Sequence, residues 1–268
     1  MSLPERVGAI GAGNMGEAFL RGLLRAGLEP ERLIASEPDA RKREKLEGEL
    51  GIRTTTRNEE VARNADLVIV AVKPDQLEAA TRELPRTGGP LYLSILAGRT
   101  LRSLERCLGP RVVRAMPNTP ALIGQGVSAL AVPAGIADAD VHSAEAVLGA
   151  VGDVVRVSES ALDAVTGLSG SGPAYVYLLI EALADAGVRE GLPGATARRL
   201  AAATVAGAAR MVAESGEHPA ILRERVTSPG GTTAAGLAAL EQGGMRAALL
   251  AAVRAATSRS RELSADKE

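Results

Sequence analysis

Short apolar runs alternate with amphipathic stretches through the first half of the chain. Val7–Ile10 is the first such run; a glycine turn follows it, then a helical pattern over 14–26. Leu33–Ser36 reads as a second strand, and 39–50, charged and broken only by Gly48, as a helix. Residues 66–72 are almost continuously apolar and β-branched, the pattern of a strand covered on both faces. Runs at 91–95 and 111–115 continue the alternation, and 127–132 and 153–157 extend it around a helix at 139–150. Repeated strand–helix–strand units predict an α/β fold with a mostly parallel sheet and helices on both sides.

The strand signal ends near Ser158. Residues 175–186 are apolar on nearly every face, and 195–213 are mostly alanine. A helix apolar all round must be buried all round, and one small helical domain has trouble hiding several. A second copy of the chain is the simplest cover, so the pattern predicts an obligate homodimer or larger assembly. The expected division is a nucleotide-type domain over 1–157 and a helical domain over 158–268, with 264–268 frayed.

Composition narrows the picture. Hydrophobic residues make up 46% and charged residues 24%, and 31 basic side chains balance 32 acidic ones for a net charge of −1. That balance gives no reason to expect a nucleic acid or an anionic membrane as partner. The longest uncharged stretch, 115–137, contains Pro117, Pro120 and Pro133 and so is not a spanning helix. A single cysteine, Cys107, excludes an internal disulfide, and with two histidines it makes a poor metal set. The start of the chain, with charged Glu5 and Arg6, lacks an apolar signal core, so a cytoplasmic protein is expected. Aromatic content is 1%, so the core must be built from Ala, Val, Leu and Ile.

The first chemical motif is Gly11-Ala12-Gly13-Asn14-Met15-Gly16, which directly follows a strand and opens a helix. In that setting the first glycine makes the tight turn, the second lets a pyrophosphate approach the backbone, and the third lets helix and strand pack closely. Ser36 and Glu37 end the second strand, where a dinucleotide's ribose is read. The carboxylate of Glu37 suits the ribose hydroxyls of NADH. The Ser36 hydroxyl and the nearby Arg41, Lys42 and Arg43 suit the extra phosphate of NADPH. The residues leave that choice open. Later strand ends, Ala71-Val72-Lys73-Pro74, Ile95-Leu96-Ala97-Gly98 and Met116 to Pro120, should line the same cleft.

Two glycine-rich segments lie beyond this region. Residues 168–175 place Pro173 in the first turn of an apolar helix, which is complete as helix-start chemistry. Thr227-Ser228-Pro229-Gly230-Gly231-Thr232-Thr233 joins two helical stretches with consecutive glycines and four hydroxyls. Such a loop offers several backbone N–H groups at a helix start and would hold a small carboxylate.

Together these segments resemble the pyrroline-5-carboxylate reductase family, whose members make proline. The similarity spans almost the whole chain: the Gly11-to-Gly16 loop, Ala71 to Pro74, Arg114 to Pro120, Asp163 to Tyr175, and most specifically Ser228 to Thr233 with Gly236-Leu237 and Leu240-Glu241 after it. The resemblance implies a Rossmann-type N-terminal domain and an all-helical C-terminal dimerisation domain with interleaved helices, often assembled into decamers. It implies that Gly11 to Gly16, Ser36, Asn58 and Ala71 to Pro74 contact the coenzyme, NADPH with NADH as the alternative. It further implies that the Ser228-to-Thr233 loop holds the substrate carboxylate, with Thr233 reaching the ring nitrogen. Ser36 and Glu37 fall where the family varies, so the resemblance does not settle NADPH against NADH.

The acid–base inventory agrees with imine reduction. A cyclic imine can arrive already protonated, whereas a hydroxyl–carbonyl pair needs a His, Lys or Tyr to move its proton. His142 falls in a predicted surface helix, His218 precedes Pro219 in a polar loop, and Cys107 reads as a small core residue. A β-hydroxyacid dehydrogenase would place a lysine on the long helix after the nucleotide domain, and 175–186 contains none. A dinucleotide sensor without turnover would have no use for the donor-rich 228–233 loop.

Overall fold

A computed structural model describes residues 3–265. Contacts group the described residues up to 171 together with those from 254 onward as one compact unit, and 172–253 as another.

The first unit is built on one eight-stranded sheet. In chain order it contains β1 (Val7–Ile10), α1 (Asn14–Arg25), β2 (Leu33–Ser36), α2 (Ala40–Leu50), β3 (Arg53–Thr55), α3 (Asn58–Arg63), β4 (Leu67–Val70), α4 (Leu77–Thr81), β5 (Leu91–Ser94), α5 (Leu101–Leu108), β6 (Val112–Met116), β7 (Gly126–Ala131), α6 (Asp138–Gly149), β8 (Gly152–Arg156) and α7 (Leu162–Val165). The strand order is β3-β2-β1-β4-β5-β6-β7-β8. Every neighbouring pair is parallel except β6 with β7. Only a short turn at Thr119–Ile123 joins β6 to β7, too little chain for a crossover helix, so the return is antiparallel.

The central strands are buried on both faces, as their unbroken apolar runs require. Val7, Ala9, Leu67, Ile69, Leu91 and Leu93 face Phe19, Leu20 and Leu23 of α1. The alternate positions, Ile10, Val68, Val70 and Tyr92, face Val61 of α3 and Leu104 of α5 on the other side. Helix starts follow local chemistry: Asp39 caps α2 by accepting from the N–H groups of Arg41 (2.9 Å) and Lys42 (3.3 Å), and Thr100 caps α5 through the Ser103 N–H (3.2 Å). The short β3, α3 and α4 carry no clear periodicity and add to the elements that the sequence pattern predicts; β3 is a polar, partly exposed edge.

The second unit carries α8 (Gly172–Arg189), α9 (Gly194–Ser215), α10 (Pro219–Arg225), α11 (Thr232–Gln242) and the first part of α12 (Met245–Ala265). Among its described residues the buried apolar side chains are three alanines, Ala184, Ala197 and Ala201, where α8 meets α9. Large apolar side chains stand outside: Tyr177 is 60% exposed, Leu178 65% and Leu250 74%. The helices expected to be apolar all round are thus uncovered within one chain. The last part of α12 belongs with the first unit, where Ser260 Oγ donates to Asp163 Oδ1 at 2.6 Å. Ser264 and Ala265, expected to fray, continue this helix; positions 266–268 lie outside the described residues.

Burial pushes the Tyr92 phenol up from its usual 10.0 to about 12; its hydroxyl donates to the Pro85 carbonyl at 3.1 Å. Above pH 10 an unfolded chain sheds this proton while the native chain keeps it. The contribution is therefore complete below pH 10 and is lost as pH rises through about 12, by at most about 3 kcal/mol. Denaturant melts across that interval should show this decline in the native sequence and its absence in Tyr92→Phe. A second expectation concerns the exposed helices: Leu178→Glu and Leu250→Glu should each lower the mass measured by light scattering if these side chains are covered by another copy.

Candidate coenzyme cleft and anion-binding loop

The turn from β1 into α1 leaves no freedom at two of its three glycines. Gly11 has φ +89°, and a Cβ there would lie 2.9 Å from the Ala71 carbonyl oxygen at the end of β4. A Cβ on Gly16 would overlap the Gly11 carbonyl oxygen, so only glycine lets α1 start this close to β1. Gly13 is different: a Cβ there would meet nothing within 4 Å. Gly13 is also the N-cap of α1, and no side chain caps the helix. Glu17 N–H is the first to find an intrahelical acceptor, the Gly13 carbonyl at 2.8 Å. The turn therefore presents the N–H groups of Asn14, Met15 and Gly16, with Ala12 and Gly13 alongside, to open space where an anion is favoured. Glu17, the acid of this first turn, is held by Arg21 (2.7 Å) and Lys45 (3.3 Å). Open backbone, absent cap and neutralised acid together fit a pyrophosphate.

Beside this turn a cleft of about 330 Å³ is lined by Met15, Ala71 to Pro74, Ile95 to Ala97, Met116 and Pro117. All but Met15 of α1 end or follow β4, β5 and β6, so these strand ends share one cleft; Gly98 and Asn118 to Pro120, expected there as well, are not part of its lining. Lys73 is exposed and precedes a short 3-10 turn at Pro74–Gln76. Gly98 continues the β5 loop with φ +64°, packed against Leu263 of α12. One residue that sequence reading missed is Arg99. It is 5% exposed, its Nε donates to the Pro74 carbonyl at 2.9 Å, and its Nη1 meets Glu78 at 2.6 Å. It ties the loops after β4 and β5 together, and no motif marks it. Arg114 on β6 is similarly buried; desolvation holds its guanidinium below the usual arginine value, opposed by Glu159 at 3.3 Å and by Asp163.

At the far end of β2, the Ser36 carbonyl accepts from Gly11 N–H at 3.1 Å, while its hydroxyl is sealed and has no partner. Glu37 is 6% exposed. Asn58 opens α3, half-buried, and its Nδ2 donates to the Ala80 carbonyl at 2.8 Å, which leaves its Oδ1 as the acceptor to offer. The segment after α7 is more than a helix start. Thr166–Gly170 forms a π-turn, with Ser171 N–H donating to the Thr166 carbonyl at 2.8 Å, before α8 begins. The periodicity of the sequence does not report this wider turn.

In the second unit, Ser228 to Gly231 join α10 to α11. Gly230 has φ +66°, and Gly231 N–H donates to the Ser228 carbonyl at 3.0 Å. Gly231 is the N-cap of α11, again with no side-chain cap, so the N–H groups of Thr232 and Thr233 are presented together with their hydroxyls. Thr232 is exposed and Thr233 half-buried. The histidines behave as expected: His142 is exposed on α6, and His218 caps α10 by accepting from the Ala220 N–H at 3.2 Å. Cys107 packs half-buried against the core on the Val61 and Leu104 side of the sheet.

A sheet in this order, with an uncapped glycine turn after its first strand and a cleft at its carboxyl ends, defines a Rossmann-type dinucleotide-binding oxidoreductase fold extended by a helical segment. Comparison with known proteins narrows the class. Residues 159–263 match the family described as pyrroline-5-carboxylate reductase dimerisation, and residues 6–98 match NADP oxidoreductase coenzyme F420-dependent. The chain is 46% identical over 263 residues to a pyrroline-5-carboxylate reductase of Synechocystis, covering 96% of this chain and 98% of that one. A solved pyrroline-5-carboxylate reductase of Coxiella burnetii superposes with a TM-score of 0.93 at 38% identity, covering 98% of this chain and 99% of that one. A Plasmodium falciparum pyrroline carboxylate reductase solved with NADP bound gives 0.84 at 32% identity, covering 97% and 98%. The chain belongs to the pyrroline-5-carboxylate reductase family, and its 159–263 stretch is the family's dimerisation module.

The glycines separate binding from folding. Gly13→Ala should leave the melting temperature unchanged but weaken dinucleotide binding by about tenfold or more, because its methyl enters the space a phosphate needs. Gly16→Ala should lower stability by about 1–3 kcal/mol and weaken binding as well. Thermal melts paired with a nicotinamide titration distinguish the two.

Proposed function

We propose that this chain reduces L-1-pyrroline-5-carboxylate to L-proline with NAD(P)H. The observation that carries the reading is the pair of uncapped helix starts, one beside the strand-end cleft and one in the 228–233 loop. The first suits a pyrophosphate and the second a small carboxylate. Residues 1–157 form the coenzyme-binding part and 158–268 the dimerisation and substrate part.

The bound nicotinamide supplies a hydride to the imine carbon. The protein's share is positioning. Gly11, Ala12, Gly13, Asn14, Met15 and Gly16 hold the pyrophosphate; Ser36, Glu37 and Asn58 surround the adenosine side. Ala71 to Pro74 and Ala97 floor the nicotinamide cleft, Gly98 supports the same loop from behind, and Arg99 keeps those two loops in register. Ser228, Gly230, Gly231, Thr232 and Thr233 hold the substrate carboxylate. The Thr233 hydroxyl bonds the ring nitrogen. That nitrogen arrives as the protonated iminium and leaves as the amine once its carbon has accepted hydride, so no strong general acid is required. This agrees with two histidines committed to surface and capping positions.

The acting form is a cytoplasmic homodimer that assembles further, with a decamer as the proposed end state. The uncovered Tyr177, Leu178 and Leu250 supply apolar surface for it. No described helix is long and apolar enough to cross a membrane, and a small molecule rather than a nucleic acid is the partner. The reading rests on turnover: purified chain mixed with L-1-pyrroline-5-carboxylate and NADPH or NADH should consume nicotinamide absorbance, and a hydroxyacid with the oxidised coenzyme should not restore it. Thr233→Ala should reduce kcat by about tenfold to a hundredfold while coenzyme affinity stays within twofold or so of the native value. An unchanged kcat would remove Thr233 from the mechanism.

A further inference from the structure

The two nicotinamide coenzymes differ by one phosphate on the 2′-oxygen of the adenosine ribose, and in a sheet of this order that ribose lies over the end of the second strand. Selection between them presupposes the dinucleotide site proposed for this chain. Glu37 is the first residue past β2 and is 6% exposed. Its N–H donates to the Thr55 carbonyl at 3.1 Å, and its own carbonyl accepts from Arg43 Nη1 at 2.8 Å. Its Oε1 accepts from the Asp39 N–H at 3.2 Å. The carboxylate is thus anchored at both backbone and side chain and does not swing out to bulk water. Its remaining lone pairs suit the two hydroxyl donors of an unmodified ribose. A 2′-phosphate brings about two negative charges and no donor for a carboxylate to accept.

The groups that would offset this repulsion are sealed, partnered or solvent-exposed. The Ser36 hydroxyl, the natural donor to a phosphate here, is out of reach of solvent beneath the strand end. Arg43 Nη1 is occupied by the carbonyls of Glu37 and Pro38, at 2.8 and 2.9 Å. Arg57 pairs with Glu60 at 3.0 Å. Arg41 and Lys42 stand exposed on the first turn of α2, where water and salt screen them. We propose that Glu37 makes this chain select NADH over NADPH, by accepting from the adenosine ribose hydroxyls and repelling a 2′-phosphate.

Binding alone tests this on the full-length chain. Nicotinamide fluorescence titrations with NADH and NADPH should give a dissociation constant at least about tenfold lower for NADH. ADP-ribose should compete better than its 2′-phosphorylated counterpart by a similar factor. Glu37→Ser should erase or reverse both ratios, chiefly by tightening the phosphorylated ligands, and Glu37→Asp should retain the preference. Melting temperatures without ligand verify that each variant folds; if Glu37→Ser does not, the native ratio and the competitor pair still decide. NADPH binding as tightly as NADH, or a folded Glu37→Ser with unchanged ratios, overturns this inference and leaves the dinucleotide site standing. Binding of neither coenzyme overturns both.

Discussion

One steric constraint organises the first unit: the carbonyl oxygen of Gly11 occupies the place where any side chain at position 16 would begin. Because of it, α1 starts directly on the end of β1 and runs back along the sheet with Phe19, Leu20 and Leu23 against the strands. That docking fixes which face of the sheet α1 covers. It also aims the uncapped helix start over the strand ends, where the loops after β4, β5 and β6 converge on one cleft. Close packing and anion binding are therefore two results of the same turn.

Much of this was legible in the chain. The central strands announce themselves because a parallel strand buried on both faces needs an unbroken apolar run, and Leu67–Val70 and Leu91–Ser94 supply one. The glycine turn is readable because each glycine answers a separate spatial demand. Elements lacking such a requirement stayed hidden. β3 is short and polar, and α4 is only five residues long. The π-turn at Thr166–Gly170 depends on a hydrogen-bond spacing that leaves no periodic trace. Arg99 illustrates the deeper limit: a lone arginine in sequence looks like a solvated charge. Only the fold shows it buried between the Pro74 carbonyl and Glu78.

The second unit obeys a different logic. Its interior is alanine on alanine, which lets α8 and α9 approach closely but removes little apolar area from water. Its larger side chains, Tyr177, Leu178, Met211 and Leu250, lie outward instead. The family's dimerisation module coincides with this region. That match accounts for apolar surface that the chain by itself leaves uncovered.

The last helix joins these two regimes. Its first part travels with the helical unit, yet its end is bonded through Ser260 to Asp163 and lies against Gly98 beside the strand-end loops. A chimera made by exchanging everything after α7 for a relative's sequence would also import a foreign wall for the β5 loop, so a graft that preserves coenzyme geometry has to bring the matching terminal turns from the same parent as the sheet.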